Sequence, residues 1–141
     1  MQETRMNAAL TNSLIDLYCG LQAKDWNAYF RKIVDQEAAD RRVSLEARNA
    51  ARNPHAKATL TLTDYAGEYT HPAYGRLRVS AANGKLVLTW GGFECLLEHF
   101  EADTFRVTEG GGFFEERLVP FTAKDGKATR LKFSDQQFER K

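Results

Sequence analysis

Two cysteines in 141 residues, Cys19 and Cys95, are too few for a disulfide framework or, without further ligands, a structural zinc site. Three histidines, His55, His71 and His99, show neither His-x-x-x-His nor His-Glu-x-x-His spacing, so nothing in the sequence calls for a metal or another cofactor. Twenty basic residues balance nineteen acidic ones, which leaves no global field to draw nucleic acid or an anionic membrane. No apolar run approaches the roughly 18–20 residues that a membrane span needs. Residues 1–11 are too polar for a secretory leader, so any export signal is expected outside this sequence. Serine chemistry is equally bare. Ser13, Ser44, Ser80 and Ser134 each lack a lysine three positions on, and no Gly-x-Ser-x-Gly elbow occurs. Gly110-Gly111-Gly112 lacks the Lys-Ser/Thr that completes a phosphate loop.

Proline and glycine are scarce in one half only. Before Asn53-Pro54 there is no proline and one glycine, Gly20, whereas every other glycine and all prolines follow. A helical segment therefore precedes a strand-rich one. The first helix is expected over residues 7–19, where Leu10, Leu14, Leu17 and Leu21 fall at helical spacing and Ile15 and Tyr18 widen the stripe. Gly20 is its natural stop. Asp25 reads as the N-cap of a second helix with Trp26, Tyr29, Phe30, Ile33 and Val34 on its buried face. Beyond Asp35 that helix turns polar, and Arg41, Arg42, Arg48 and Arg52 read as a solvated face rather than a phosphate stripe, diluted as they are by Asp40 and Glu46. Asn53-Pro54 ends it.

From Thr59 the period becomes two. Leu77 and Val79 alternate with polar residues up to Asn83-Gly84, and Leu86, Leu88 and Trp90 continue beyond it. Alternating runs around Asn-Gly are the strongest short hairpin signal. Asp125-Gly126 repeats the construction between Val119-Pro120-Phe121 and Leu131-Lys132-Phe133, and residues 93–101, 105–108 and 113–121 read as further strands. The fold class is thus α+β: two N-terminal helices, then an antiparallel up-and-down β-barrel of about eight strands. Residues 1–58 form a helical arm or linker and residues 59–141 the barrel.

Few side chains stand out as candidate sites. His99 shares a strand face with Phe93, Cys95 and Leu97, so it is expected to point into the barrel, either as a hydrogen-bonded core histidine or as a contact for a ligand. Both cysteines read as inert structural thiols. Tyr65, Tyr69 and Tyr74, near Gly67 and Gly75, read as barrel-closing aromatics, with stacking on a base or sugar as the alternative. The loop Gly110, Gly111, Gly112, Phe113 and Phe114 is a candidate partner contact, because three glycines are costly to order and adjacent phenylalanines cannot both face a core without a bulge.

One constellation carries a family resemblance. Asp64-Tyr65-Ala66-Gly67-Glu68-Tyr69, His71-Pro72-Ala73-Tyr74-Gly75, Leu77-x-Val79, Asn83-Gly84-Lys85-Leu86, Leu97-Glu98-His99-Phe100 and Asp103-Thr104-Phe105 occur in order. Together they resemble the C-terminal domain of unknown function that follows the catalytic domain in many bacterial serine beta-lactamase-like hydrolases and penicillin-binding-protein relatives. Leu14-Ile15-Asp16-Leu17, Gly20-Leu21 and Asp25-Trp26 resemble the segment joining the two domains in those proteins. The resemblance implies a lipocalin- or streptavidin-like barrel and a non-catalytic accessory role, since no catalytic residue of the parent hydrolases has a counterpart here. Its implied partner is a serine hydrolase catalytic domain, in the same parent chain or in trans, with no nucleic acid and no membrane span. It also implies a bacterial protein, periplasmic or secreted where the parent carries a signal and cytoplasmic otherwise. Pairing of the helical arm with a second copy remains open. So do two other readings: a stand-alone small barrel binding an apolar molecule, and a cone-shaped α+β ligand-binding protein.

Overall fold

The computed structural model describes residues 5–110 and 112–141, with Phe113 described by its backbone alone. Contacts group the chain into two units, Met1–Ala51 and Arg52–Lys141.

The first unit is a helical hairpin of α1 (Met6–Tyr18) and α2 (Trp26–Ala51). Gly20, at φ +62°, ends α1 by letting the Leu21 N–H return to the Asp16 carbonyl at 2.8 Å. Asp25 caps α2, its carboxylate accepting the Ala28 N–H at 2.9 Å. Arg5 pairs with Glu37 and Trp26 with Asp16, so the helices run antiparallel. The joint between them corrects the expectation from the leucine stripe. Ala9 and Asp16, two turns apart, are the buried residues of α1, while Leu10, Leu14, Leu17 and Leu21 are exposed, Leu17 at 74%. Small Ala9 lets the helices approach, and the Asp16 carboxylate takes the Trp26 indole N–H at 2.6 Å. On α2, Trp26, Phe30, Ile33 and Val34 are half-buried and Tyr29 is exposed. Cys19, expected inside, lies exposed at the end of α1.

The second unit is a closed antiparallel barrel in sequence order: β1 (Gly67–His71), β2 (Gly75–Ala82), β3 (Lys85–Trp90), β4 (Phe93–Glu101), β5 (Thr104–Glu109), β6 (Leu118–Lys124), β7 (Lys127–Phe133) and β8 (Gln136–Arg140). Closure of β8 onto β1 excludes the cone-shaped alternative, which needs an open sheet. Period-two alternation sends Tyr69, Leu77, Val79, Leu86, Leu88, Cys95, Leu97, Phe105, Val107, Val119, Leu131, Phe133 and Phe138 inward, all fully or almost fully buried. Each such Leu or Phe contributes about 1.5–3 kcal/mol on burial. The inward positions are filled by these large side chains, which argues against an apolar ligand held inside.

The turns follow their sequence signals. Asn83-Gly84, Gly91-Gly92 and Asp125-Gly126 all have positive φ at both central residues, as type I′ hairpins require. Ser134-Asp135 does the same without glycine, at φ 49° and 64°, which is why β8 left no hairpin signature in the sequence. Two further expectations are corrected. Period-two structure does not begin at Thr59: a short helix α3 (Leu62–Tyr65) precedes β1, started by a capping box between Thr61 and Asp64. Residues 113–121 are not one strand, because Gly112–Phe114 forms a single 3-10 turn and pairing resumes at Leu118.

Candidate functional site

The two ends of the barrel differ. At the end where β4 meets β5, residues 52–61 lie as a strap across the turn. Arg52 donates from its guanidinium to the Phe100 carbonyl, the Asn53 N–H reaches the Glu101 carboxylate at 2.9 Å, and the Ala102 N–H reaches the Ala56 carbonyl at 2.9 Å. Asp103 fastens the strap's far end, accepting the Thr59 N–H at 2.7 Å, the Thr59 hydroxyl and the Tyr65 hydroxyl. Tyr65 is fully buried, with its ring edge-on to Phe105 and Phe121 at 5.0 and 5.1 Å. Burial, helped by the bond to Asp103, pushes the Tyr65 hydroxyl up to about 12. Partial burial also pushes the Asp103 carboxyl up, but the Tyr65 and Thr59 hydrogen bonds and the nearby His99 outweigh it and hold it below its usual range. Arg140 completes this end by donating to the carbonyls of Asp64, Ala66 and Ala128. The bonds of Arg52, Thr59, Tyr65, Asp103 and Arg140 hold the strap and this end of the barrel together.

The opposite end carries aromatic rings. Trp90, at the end of β3, packs on Phe114, Phe133 and Phe138 with centroids 6.0, 5.8 and 6.2 Å away. Phe114 lies half-buried over this end, 4.9 Å from Phe133. Gly110 makes that placement feasible: its φ is +74°, and a β-carbon there would collide with the Glu94 carbonyl oxygen. At the rim, Tyr74 and Phe93 are each 47% exposed. His71 orders the β1–β2 turn by accepting the Ala73 and Tyr74 N–H groups on Nδ1 at 3.1 and 3.3 Å. Next to it an open cavity of about 520 Å³ is lined by Thr70, His71, Pro72, Gln137 and Glu139. This cavity lies on the outer face of the β1–β8 seam, since Thr70 and Glu139 alternate with the inward Tyr69 and Phe138.

The sequence candidates fall unevenly on this geometry. His99 does not point into the barrel: it is exposed, and Phe100 takes the inward position instead. The register shift between His99 and Glu101 displaces the alternation by one residue, so the imidazole Nε2 meets the Ala102 carbonyl at 2.8 Å. Of the glycine loop, Gly110 is pinned against β4 and Phe114 is turned inward, while Gly111 and the Phe113 side chain lie outside the described residues. Tyr65 and Tyr69 are core, but Tyr74 is not. Sequence reasoning missed His71, Gln137 and Glu139 as neighbours, since only barrel closure brings residues near 71 and 138 together. Among the described residues no group of His, Cys, Asp and Glu could hold a metal ion, and no helix is long and apolar enough to cross a membrane. Cys95 is buried, and burial raises its thiol pKa, which fits an inert thiol.

No curated protein matches the chain. A solved structure, the C-terminal domain of penicillin binding protein Rv0907, is 25% identical, the match covering 64% of this chain and 95% of that one with a TM-score of 0.49. A family described as domain of unknown function (DUF3471) matches residues 51–141, which span the strap, the short helix and all eight strands. On that match the chain belongs to the DUF3471 family.

Proposed function

We propose that the chain is a non-catalytic accessory domain of a serine beta-lactamase-like hydrolase, packing on the catalytic domain and shaping substrate access or assembly. The observation that carries the reading is the outward face of α1. Leu10, Leu14, Ile15, Leu17 and Tyr18 are all exposed, and the one charged residue within α1, Asp16, is turned inward to Trp26. An uncharged apolar helix face of this extent calls for a cover. A large partner domain supplies it, in keeping with the resemblance of this segment to an interdomain joint. The loop at 110–114 is proposed as a second contact with the same domain, and the isolated chain is proposed to hydrolyse neither beta-lactams nor D-amino-acid amides.

The test is binding in trans. A separately expressed hydrolase domain from the same gene should bind the chain, and Leu14→Ser with Leu17→Ser should abolish the interaction without lowering the barrel's melting temperature. Sedimentation of the chain alone checks the competing cover. A self-dimer lost in the same double variant, with no binding to the hydrolase domain, would replace the accessory reading with a homo-oligomer formed through the arm.

A further inference from the structure

The aromatic end of the barrel supports a second inference, independent of the accessory role. The ring centroids of His71, Tyr74, Trp90, Phe114 and Phe93 follow one another at 4.9, 6.4, 6.0 and 5.6 Å, with Tyr74 and Phe93 exposed. His71 joins this row to the cavity at the seam of β1 and β8. The seam opens there for a reason legible in the chain. Its register, Tyr69↔Arg140 and Thr70↔Glu139, runs toward Pro72, which has no N–H with which to extend the ladder.

We propose that the cavity and Tyr74 form a binding site for an uncharged carbohydrate chain. Three features select that ligand class. The cavity holds one carboxylate, Glu139, and its charge is compensated by Arg130 at 3.4 Å, so the site favours neither a cation nor an anion. Its other polar groups are a hydroxyl (Thr70), an amide (Gln137) and an imidazole whose Nδ1 is already an acceptor, leaving the proton on Nε2. This mixture of neutral donors and acceptors matches sugar hydroxyls, each of which both donates and accepts. Tyr74 supplies an exposed ring, whose negative face attracts the slightly positive axial C–H groups of a pyranose.

The same features disfavour other extended ligands. A proline-rich peptide is held by an indole N–H free to reach its carbonyls, but the Trp90 Nε1–H is committed to the Tyr74 carbonyl at 3.1 Å. Single-stranded nucleic acid requires a basic groove beside the rings, and this cavity is lined by no lysine or arginine.

The experiment is a titration of the isotopically labelled full chain with cellotriose, maltotriose and chitotriose, read by amide chemical shifts. At least one should move the signals of Thr70, His71, Tyr74 and Gln137 together with the Trp90 indole. Tyr74→Ala should weaken that binding about tenfold, and Tyr74→Phe, which keeps the ring, should preserve it. Gln137→Ala should weaken it with the fold intact, so the result does not rest on one variant. Silence with all three sugars at about 10 mM, a response that survives Tyr74→Ala unchanged, or a response to a proline-rich peptide alone would overturn the proposal.

Discussion

The Tyr65 hydroxyl donates to the Asp103 carboxylate across 38 positions of sequence, tying the entrance of the barrel to the turn between its fourth and fifth strands. Two signals that look unrelated in the sequence, an aromatic at the end of a four-residue helix and an acid in a turn, thus form one joint. The bond is charge-assisted and shielded, the setting in which a hydrogen bond contributes most. Tyr65→Phe keeps the ring against Phe105 and Phe121 and removes only the donor. It should cost about 1.5–3 kcal/mol in denaturant unfolding, the range for hydrogen bonds to charged groups. A loss below a few tenths would show that Thr59 alone satisfies Asp103.

Asp103 also sets a pH dependence. Its folded-state pKa is lowered relative to the unfolded chain, so its contribution is complete above the ordinary aspartate value and fades as pH falls through the folded one. Stability should therefore drop below about pH 4, and Asp103→Asn should flatten that limb. Tyr65 has the opposite sign. Raised to about 12, it contributes fully below the ordinary tyrosine value near 10 and loses that contribution as pH rises through about 12. Unfolding midpoints measured from pH 2 to 5 in wild type and Asp103→Asn test the acid limb.

Gly110→Ala meets two penalties at once, a positive φ and a collision with the Glu94 backbone. A loss of about 3 kcal/mol is expected. Phe114 should loosen with it, which fluorescence of the neighbouring Trp90 would register. Gly84→Ala, with open space around it and a similar φ, should cost only about 1 kcal/mol.

In the helical hairpin, Trp26 is half-buried and bonded to Asp16. Trp26→Ala should cost about 1–2 kcal/mol rather than the ~3–5 of a fully buried tryptophan. Asp16→Ala should cost a similar amount, and the double variant little more than either single one, since both remove the same contact. Additive losses would mean that the two side chains act separately.

The sequence by itself determined the division into helices and strands, the alternation that builds the core, and the tight turns. These depend on local periodicity and on residues that tolerate positive φ, as at Asn83-Gly84 and Asp125-Gly126. Where a turn was made by Ser134-Asp135, local chemistry was silent and β8 went unread. Tertiary structure alone decided which face of a pattern is inside. The leucine stripe of α1 is a sound helical signal, yet a small alanine and one aspartate form the joint with α2, because close approach and the half-buried indole bond to Asp16 settled the packing. His99 followed the strand period into the barrel until a bulge moved Phe100 into its place, a one-residue shift that period counting cannot register. The candidate site was the least legible part. Thr70 and His71 meet Gln137 and Glu139 because an eight-stranded sheet closes on itself, and closure is a property of the whole sheet rather than of any segment within it.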